Sequence, residues 1–581
     1  MISLETNYNL DLNKVLDEYP RPQLKRDSFI NLNGKWDFKI FKDDDLFNNF
    51  NEKIVVPFPV ESSLSGIERR VEIDERMGYR KVFTLNRAFI KDTVYLHFGA
   101  VDQVCDVYLN REFVCHHEGG YLPFKVNITK ELKDENELIV IALDTLDTKY
   151  PTGKQKKNNG GIWYTPVSGI WQTVWLESVP TNHIEDVKFK PDIDSNAINI
   201  EIKANKPCQN KNIKVLYQDK IISEVNTNLD QINITLDDVH LWSPDDPNLY
   251  DVIITLDNDI VYSYFGMRKF SYVMRNNRKV MALNNKPFFF HGLLDQGWYP
   301  DGLYTVKSYD VYRDELKTLK KLGFNTLRKH IKIEPLIWYY LCDKMGIVVW
   351  QDMVNVGEYS FIKDSVMPIL GKRDSKLFGN KVFNDAKENF VKAMDETVSV
   401  LYNSPSIALW TIFNEGWGEF DPKEMNEKLK TLDNTRFIDS ASGWFYKEDE
   451  NDLESHHIYF TKIDFNKKPL KKAQKNDKPI IISECGGFIY RVPGHIFKED
   501  KEFGYKKFTT LDEYNNAFLH LYENEIISNL DKGLSGSIYT QVSDVEEELN
   551  GLFTYDRKVL KLNKDIALTI KRKIDEYYEN K

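Results

Sequence analysis

Cysteine is scarce: there are five, Cys105, Cys115, Cys208, Cys342 and Cys485, in 581 residues. The number is odd, the spacing is irregular, and neither a C-x-x-C pair nor a zinc-like histidine spacing occurs. Neither a disulfide framework nor a structural metal is therefore expected. No run approaches the roughly 18 apolar residues of a membrane span, so no membrane partner is expected. The opening MISLETNYNLDLNKVLDEYP lacks a basic stretch followed by an apolar core, as a secretion signal would have, and a cytoplasmic location is the expectation. Positive charge is outweighed, 78 Lys and Arg against 89 Asp and Glu, for a net charge of -11. A nucleic-acid partner, which would need clustered cations, is not expected. The lysines between Lys467 and Lys472 read as a solvated loop.

What is present is enough apolar material, 41% hydrophobic and 13% aromatic, for several packed interiors. At about 100 to 200 residues per domain, the length suggests three or more units. Up to about residue 270 the chain reads as short strands rich in Val, Ile, Tyr and Phe between turn residues, as in VYLHFGAVDQVCDVYL and NAINIEIKAN. A break near Val179-Pro180-Thr181-Asn182 divides this all-β half. The expectation is a larger sandwich over 1–181 and an immunoglobulin-sized sandwich over 182–273.

Beyond Val280 apolar strands alternate with amphipathic segments, the pattern of βαβ units. PFFFHGLLD, FNTLRKH, IVVWQDM, IALWTIFNE, RFIDSAS, LESHHIY, PIIISECG and SGSIYTQVS make eight candidate strands. Pro335 suits the first position of one intervening helix, Gly346 its C-terminal cap, and Thr510 the N-cap of another. Eight strand and helix pairs over 274–581 predict a (β/α)8 TIM barrel, whose active site lies at the C-terminal strand ends.

Two of those strand ends carry a glutamate: Asn414-Glu415 closes the fourth and Glu484 the seventh. A carboxylate in a barrel mouth is costly unless partnered or used. Cleavage of a glycosidic bond needs two, one to protonate the leaving oxygen and one to attack the anomeric carbon or activate water. Strands four and seven face one another across a barrel, and neighbouring carboxylates push each other's pKa up, which suits one acid beside one ion. Either glutamate alone would serve equally well in an ion pair with a barrel Arg or Lys; the two together point to chemistry. The tryptophans near strand-end loops, Trp298, Trp350, Trp417 and Trp444, are candidates for stacking on a sugar or for core packing.

From about Arg21 onward the chain resembles glycoside hydrolase family 2. The resemblance is carried by RPQLKRDSFINLNGKWDFKI, VPFPVESSLSG, HEGGYLPFKVNIT, SGIWQTVWLE and LWSPDDPNLYDVIITL in the β half. In the barrel it is carried by FFFHGLLDQGWYPDG, GFNTLRKHIKIEP, GIVVWQDM, SPSIALWTIFNEGWG, PIIISECGG and NGLFTYDRKV. It implies a jelly-roll sugar-binding-type domain, an immunoglobulin-like sandwich and a catalytic barrel. It also implies a retaining exo-β-glycosidase with Glu415 as acid/base and Glu484 as nucleophile, carboxyls about 5 to 5.5 Å apart, and a covalent glycosyl-enzyme intermediate. Asn414 matches the asparagine that bonds the sugar 2-hydroxyl, Arg328 the arginine beside the nucleophile, and Tyr459 the tyrosine that hydrogen-bonds it. Of His456 and His457, one is expected to face the barrel core, and neither is given a catalytic role.

The chain also departs from the family pattern. Where family β-glucuronidases read the sugar carboxylate with Asn-x-Lys, this chain has Glu548-Leu549-Asn550, and a glutamate would repel an anionic sugar. Ile162-Trp163-Tyr164-Thr165 stands where the β-galactosidases carry an aspartate, and Tyr539-Thr540-Gln541 where the eighth strand supplies a tryptophan. His330 falls one residue short of the family's Arg-x-x-His spacing from Arg328. Asp295-Gln296-Gly297-Trp298-Tyr299 after the first strand and Trp350-Gln351-Asp352 at the third, with His330, Trp417 and Tyr539, are the remaining expected subsite contacts. The leading expectation is hydrolysis of a terminal neutral sugar in a β-galactosidase-like manner, with β-glucuronidase, β-mannosidase or arabinosidase activity as alternatives. A carbohydrate-binding protein is the non-enzymatic one. An oligosaccharide or glycoside is the expected partner, no cofactor is required because carboxylates do the chemistry themselves, and the resemblance implies a homo-oligomer.

Overall fold

The fold was described from a computed structural model, over residues 4–207, 210–360, 384–443 and 451–579. In the first part a four-stranded antiparallel sheet faces a six-stranded one, the latter built on Gly34–Phe41, Arg76–Thr84 and Glu135–Leu143. Alternating apolar side chains, among them Trp36, Phe38, Tyr79, Leu96, Val140 and Leu176, fill the space between them, as a two-sheet jelly roll requires. A second, immunoglobulin-like sandwich sets Ile184–Asp192, Ala197–Ala204 and Gln231–Thr235 against a four-stranded sheet that includes Lys211–Tyr217 and Tyr250–Leu256. Ile198, Ile200, Val215, Val252 and Val261 form its core.

The rest is the TIM barrel. Its parallel strands are β1 (Phe290–Asp295), β2 (Thr326–Lys329), β3 (Val348–Asp352), β4 (Ile407–Asn414), β5 (Phe437–Ser442), β6 (Glu454–Ile458), β7 (Ile480–Gly486) and β8 (Leu534–Thr540). They run β5-β4-β3-β2-β1-β8-β7-β6, and every strand read from the sequence is present in its expected place. Ladder bonds join the strands within that order; β5 and β6, at its two ends, are tied by side chains. Ser455 Oγ donates to Asp439 Oδ2 at 2.6 Å and Asn451 Nδ2 to Asp439 Oδ1 at 2.7 Å. A short three-stranded sheet, Phe270–Arg275, Arg278–Leu283 and Lys286–Pro287, plugs the N-terminal end. There Met281 joins Phe290, Trp350, Leu409 and Ile538 in one buried cluster.

Helix boundaries follow the residues that cap them. Thr510 forms a capping box with Glu513, and Gly346 closes the helix Leu336–Met345 with φ 72°, where its N–H reaches Cys342 O. Pro335 occupies the N-cap, one position before the expected one, because its extended ψ of 140° keeps it outside the helix. No helix among the described residues is long and apolar enough to cross a membrane.

Candidate active site

Strand parity decides which side chains reach the barrel mouth, since successive residues on a strand point to opposite faces. On β2, Arg328 points to the axis and Lys329 to the helix layer. Arg328 is fully buried and binds five neighbours. Nη1 donates to Glu484 Oε1 at 2.9 Å and to Ser483 O at 3.1 Å, and lies 3.2 Å from His457 Nε2. Nη2 donates to Asn414 Oδ1 at 2.8 Å, and Nε to Asp352 Oδ1 at 3.0 Å. One planar cation thus fixes strand ends from β3, β4, β6 and β7, which a lysine could not do.

Glu415 follows the last residue of β4 and lies in the left-handed region, φ 54°, which turns its carboxyl over the mouth. Such backbone costs about 1–2 kcal/mol. The turn continues through Gly416 and Gly418, and at Gly418 a Cβ would lie 2.2 Å from Val356 O. The Glu415 carboxyl stays partly open, and Oε1 is 2.8 Å from His457 Nδ1. Glu484 is deeper, with Oε2 accepting from the Tyr459 hydroxyl, which also contacts Thr540 Oγ1 at 2.8 Å. Burial alone would push the Glu484 carboxyl up, but His457 and Arg328, then His330 and the Tyr459 hydroxyl, bring it down to about 2. It is a held anion, while Tyr459, raised by burial and by Glu484, is a held donor.

One oxygen of Glu415, one of Glu484 and a ring nitrogen of His457 all lie within 4.8 Å of one another. This trio has the donor chemistry of a metal site, but the Arg328 guanidinium already bonded to Glu484 would oppose a further cation. The arrangement can do something else: two carboxylates this close, one anionic and one open to solvent, can flank a single reacting carbon.

Around them lies an open cleft of about 500 Å3, solvent at its mouth included. Trp417 lines it, anchored by its Nε1 to Gly357 O at 2.8 Å, and meets Trp163 edge-on at 5.2 Å. Tyr505 stacks on Tyr459 at 3.8 Å. His330 lines it too; burial and the nearby Lys154 charge lower its pKa to about 4, and its Nδ1 sits 2.8 Å from Asp352 Oδ2. Asp352 itself is held below the ordinary carboxylate range, since Arg328 and then the His330 ring outweigh its burial. It lies behind His330 rather than in the cavity.

Three further expected contacts are corrected. Asp295 pairs in register with Lys329, not with Arg328, so it faces the helices and sits in a buried ion network with Lys329 and Glu334. Trp350 does face the axis, paired with Arg328, but one layer below the site, packed on Phe290. Tyr539, paired with Leu293, points outward onto Phe518, Tyr514 and Phe488, and it is Thr540 that reaches the mouth. Trp298 is also core, packed on Tyr164 and Tyr304. Trp444 lies outside the described residues.

Sequence reasoning gave no role to His457, which bridges the two glutamates. A register shift between His456 and His457 on β6 breaks the alternation a simple parity count assumes. Tyr505 and Lys154 were missed as well. Gln296, expected in the motif that follows the first strand, does line the cavity, two residues after Leu294, the register partner of Arg328.

The first sandwich supplies one wall through a loop running from Lys154 to Thr165. Glu546 Oε1 accepts from Thr165 N at 2.8 Å, Glu547 Oε2 from Gly161 N at 3.1 Å, and Glu548 Oε2 from the Tyr164 hydroxyl. The acidic run after β8 therefore holds the first sandwich onto the barrel.

Comparison with known proteins agrees with this architecture. Residues 274–572 match the family described as "Glycosyl hydrolases family 2, TIM barrel domain", 182–268 "Glycosyl hydrolases family 2", and 65–171 "Glycosyl hydrolase 2 galactose-binding domain-like". A beta-galactosidase of Thermoanaerobacter pseudethanolicus is 29% identical over 440 residues, which cover 71% of this chain but only 54% of that protein. A beta-glucuronidase of Streptococcus agalactiae is 25% identical over 81% of this chain and 84% of its own length. Among solved structures, a beta-glucuronidase from an uncultured Clostridium superposes with a TM-score of 0.75 at 19% identity, covering 96% of this chain and 99% of that one. A beta-galacturonidase from Eisenbergiella tayi bound to galacturonate gives 0.71 at 18%, covering 97% and 99%. At such identities the likeness speaks for the fold.

Proposed function

Because the chain belongs to glycoside hydrolase family 2, we propose that it is a retaining exo-β-glycosidase in which Glu484 attacks the anomeric carbon and Glu415 serves as acid, then base. The observation that carries this reading is the spacing of the pair: carboxylate oxygens within 4.8 Å fit the retaining class, at about 5–5.5 Å, and not the inverting class, at about 6.5–9.5 Å. Glu484 is ionised at any working pH and so ready to attack. Glu415, hydrogen-bonded to His457 and open to the cavity, can deliver its proton to the departing oxygen and afterwards take one from water. Asn414, oriented by Arg328, would hold the sugar 2-hydroxyl. Tyr459 would donate to Glu484 and release that bond as the glycosyl ester forms. His330, neutral and with Nδ1 turned to Asp352, would offer Nε2 as an acceptor to a ring hydroxyl, and Trp417 a face or edge to the sugar.

On this reading residues 1–181 contribute a sugar-binding wall, 182–273 a spacer sandwich, and 274–581 the chemistry. The test is trapping with 2-deoxy-2-fluoro-β-glycosyl fluorides, preceded by a p-nitrophenyl panel of β-galactoside, β-glucoside, β-glucuronide, β-mannoside and α-L-arabinoside. A stable adduct on the peptide containing Glu484, with the product released in the substrate's own anomeric configuration, is expected. Turnover giving the inverted anomer, or an adduct on another residue, would sink the assignment.

A further inference from the structure

Among the described residues, two polar side chains on the cavity wall have no protein partner. Gln296, two residues past Leu294 and only 3% exposed, leaves both its amide nitrogen and its amide oxygen unbonded. Lys154, 9% exposed and lining the same cavity, has no ion pair or hydrogen bond for its ammonium among the described residues. Its main chain is fixed, with Tyr164 N–H donating to Lys154 O at 3.0 Å. The nearest ring, Tyr164, is 5.9 Å away, at the limit of useful cation–π contact. Glu548 also borders the cavity, but both its oxygens are taken, one by Tyr164 and the other by Asn550 Nδ2 at 2.9 Å.

A buried amide with both ends empty is costly, and a cavity-lining cation with no direct ion pair is open to one; a single ligand can complete both. A hydroxyl would satisfy a donor but leave Lys154 without a direct ion pair. A carboxylate beside a ring hydroxyl satisfies everything at once: the anion takes Lys154 and the Gln296 NH2, and the hydroxyl donates to Gln296 Oε1.

We propose, on the basis of the glycosidase reading above, that Lys154 of the first sandwich and Gln296 of the barrel form the receptor for a carboxylated glycone, so that the substrate is a β-linked uronide. The charge comes from a loop of the β half, a different place in the chain from the Asn-x-Lys position that Glu548 to Asn550 occupies.

The test compares wild type with Lys154→Met, Lys154→Arg and Gln296→Ala. Each is assayed on p-nitrophenyl β-D-glucuronide and β-D-galacturonide against the β-glucoside and β-galactoside. Each is also titrated calorimetrically with glucuronic and galacturonic acids against glucose and galactose. Wild type is expected to prefer one uronic acid, or its glycoside, over the neutral counterpart. Lys154→Met should lower that preference on the order of 100-fold, and Lys154→Arg should restore most of it. Equal or tighter binding of the neutral sugar by wild type overturns the inference, as does an equal loss on neutral and acidic ligands in Lys154→Met. Hydrolysis of neutral glycosides alone defeats the receptor and leaves the glycosidase. Uronic acid binding with no glycoside cleaved supports the receptor and defeats the glycosidase.

Discussion

Replacing Arg328 with Met should both destabilise the protein and move its pH profile, and the two effects have one origin. Arg328 is the cation between two buried carboxylates, Glu484 at 2.9 Å and Asp352 at 3.0 Å. Holding the Glu484 carboxyl at about 2 in place of its ordinary 4.5, which His457 and Arg328 do together, corresponds to about 3 kcal/mol of stability, of which Arg328 supplies a part. Folding lowers this pKa, so the contribution is present above about pH 4.5 and drains away as the pH falls toward 2. Breaking a buried ion pair by removing one partner costs about 3–5 kcal/mol. The variant should therefore melt roughly 5–8 °C lower at pH 7. Because an adjacent cation lowers a carboxyl by about 1–3 pH units, the acid limb of kcat/KM should rise from near pH 2 to roughly pH 3–5. Arg328→Lys keeps the charge and loses the fork, so its acid limb should stay low while kcat falls through Asn414. The assay is kcat/KM on an activated aryl glycoside from pH 3 to 8, with thermal melts alongside. An Arg328→Met enzyme with an unmoved acid limb and an unchanged melt would refute this account of Arg328.

Glu415→Ala should lose on the order of 100- to 10,000-fold in kcat on poor leaving groups. It should be far less impaired on dinitrophenyl glycosides, and added azide should restore turnover as a glycosyl azide; equal loss on all leaving groups would exclude it as the acid. Trp350→Ala should cost about 3–5 kcal/mol in denaturant melts, whereas a stable variant with altered KM would return Trp350 to the sugar subsite. Glu61, pushed up to about 7 by burial although Ser168 bonds its carboxylate, has a folded pKa above its unfolded one. Its stabilising effect is complete below about pH 4.5 and is lost as the pH rises through 7. Glu61→Gln should flatten the fall in melting temperature between pH 5 and 8, and an unaltered slope would contradict the burial argument.

The barrel was legible because each of its strands is an apolar run bounded by turn residues and helix caps, and Glu415 and Glu484 because both stand at strand ends. What the sequence hid was parity and depth. Asp295 and Tyr539 are outward partners of Lys329 and Leu293, and a polar or aromatic letter at a strand end does not say which way it points. Trp350 points inward but lies a layer too low. His457 depends on a bulge that no residue type announces, and Lys154 on the docking of a loop more than 100 residues from the barrel in the chain. Glu548, read from the sequence only as a charge facing the sugar, also bonds the Tyr164 hydroxyl, and with Glu546 and Glu547 it seats that loop.

That clamp has a consequence for what counts as the enzyme. The barrel owns both glutamates, but Lys154 and Trp163 reach the cavity from the other sandwich. An excised barrel would leave Glu415 facing bulk water on one side, weakening every electrostatic interaction that shapes the site. Conversely, residues 154–165 form an exchangeable part: grafting that loop from a relative would retune which sugar is accepted while the bond-breaking apparatus stays untouched.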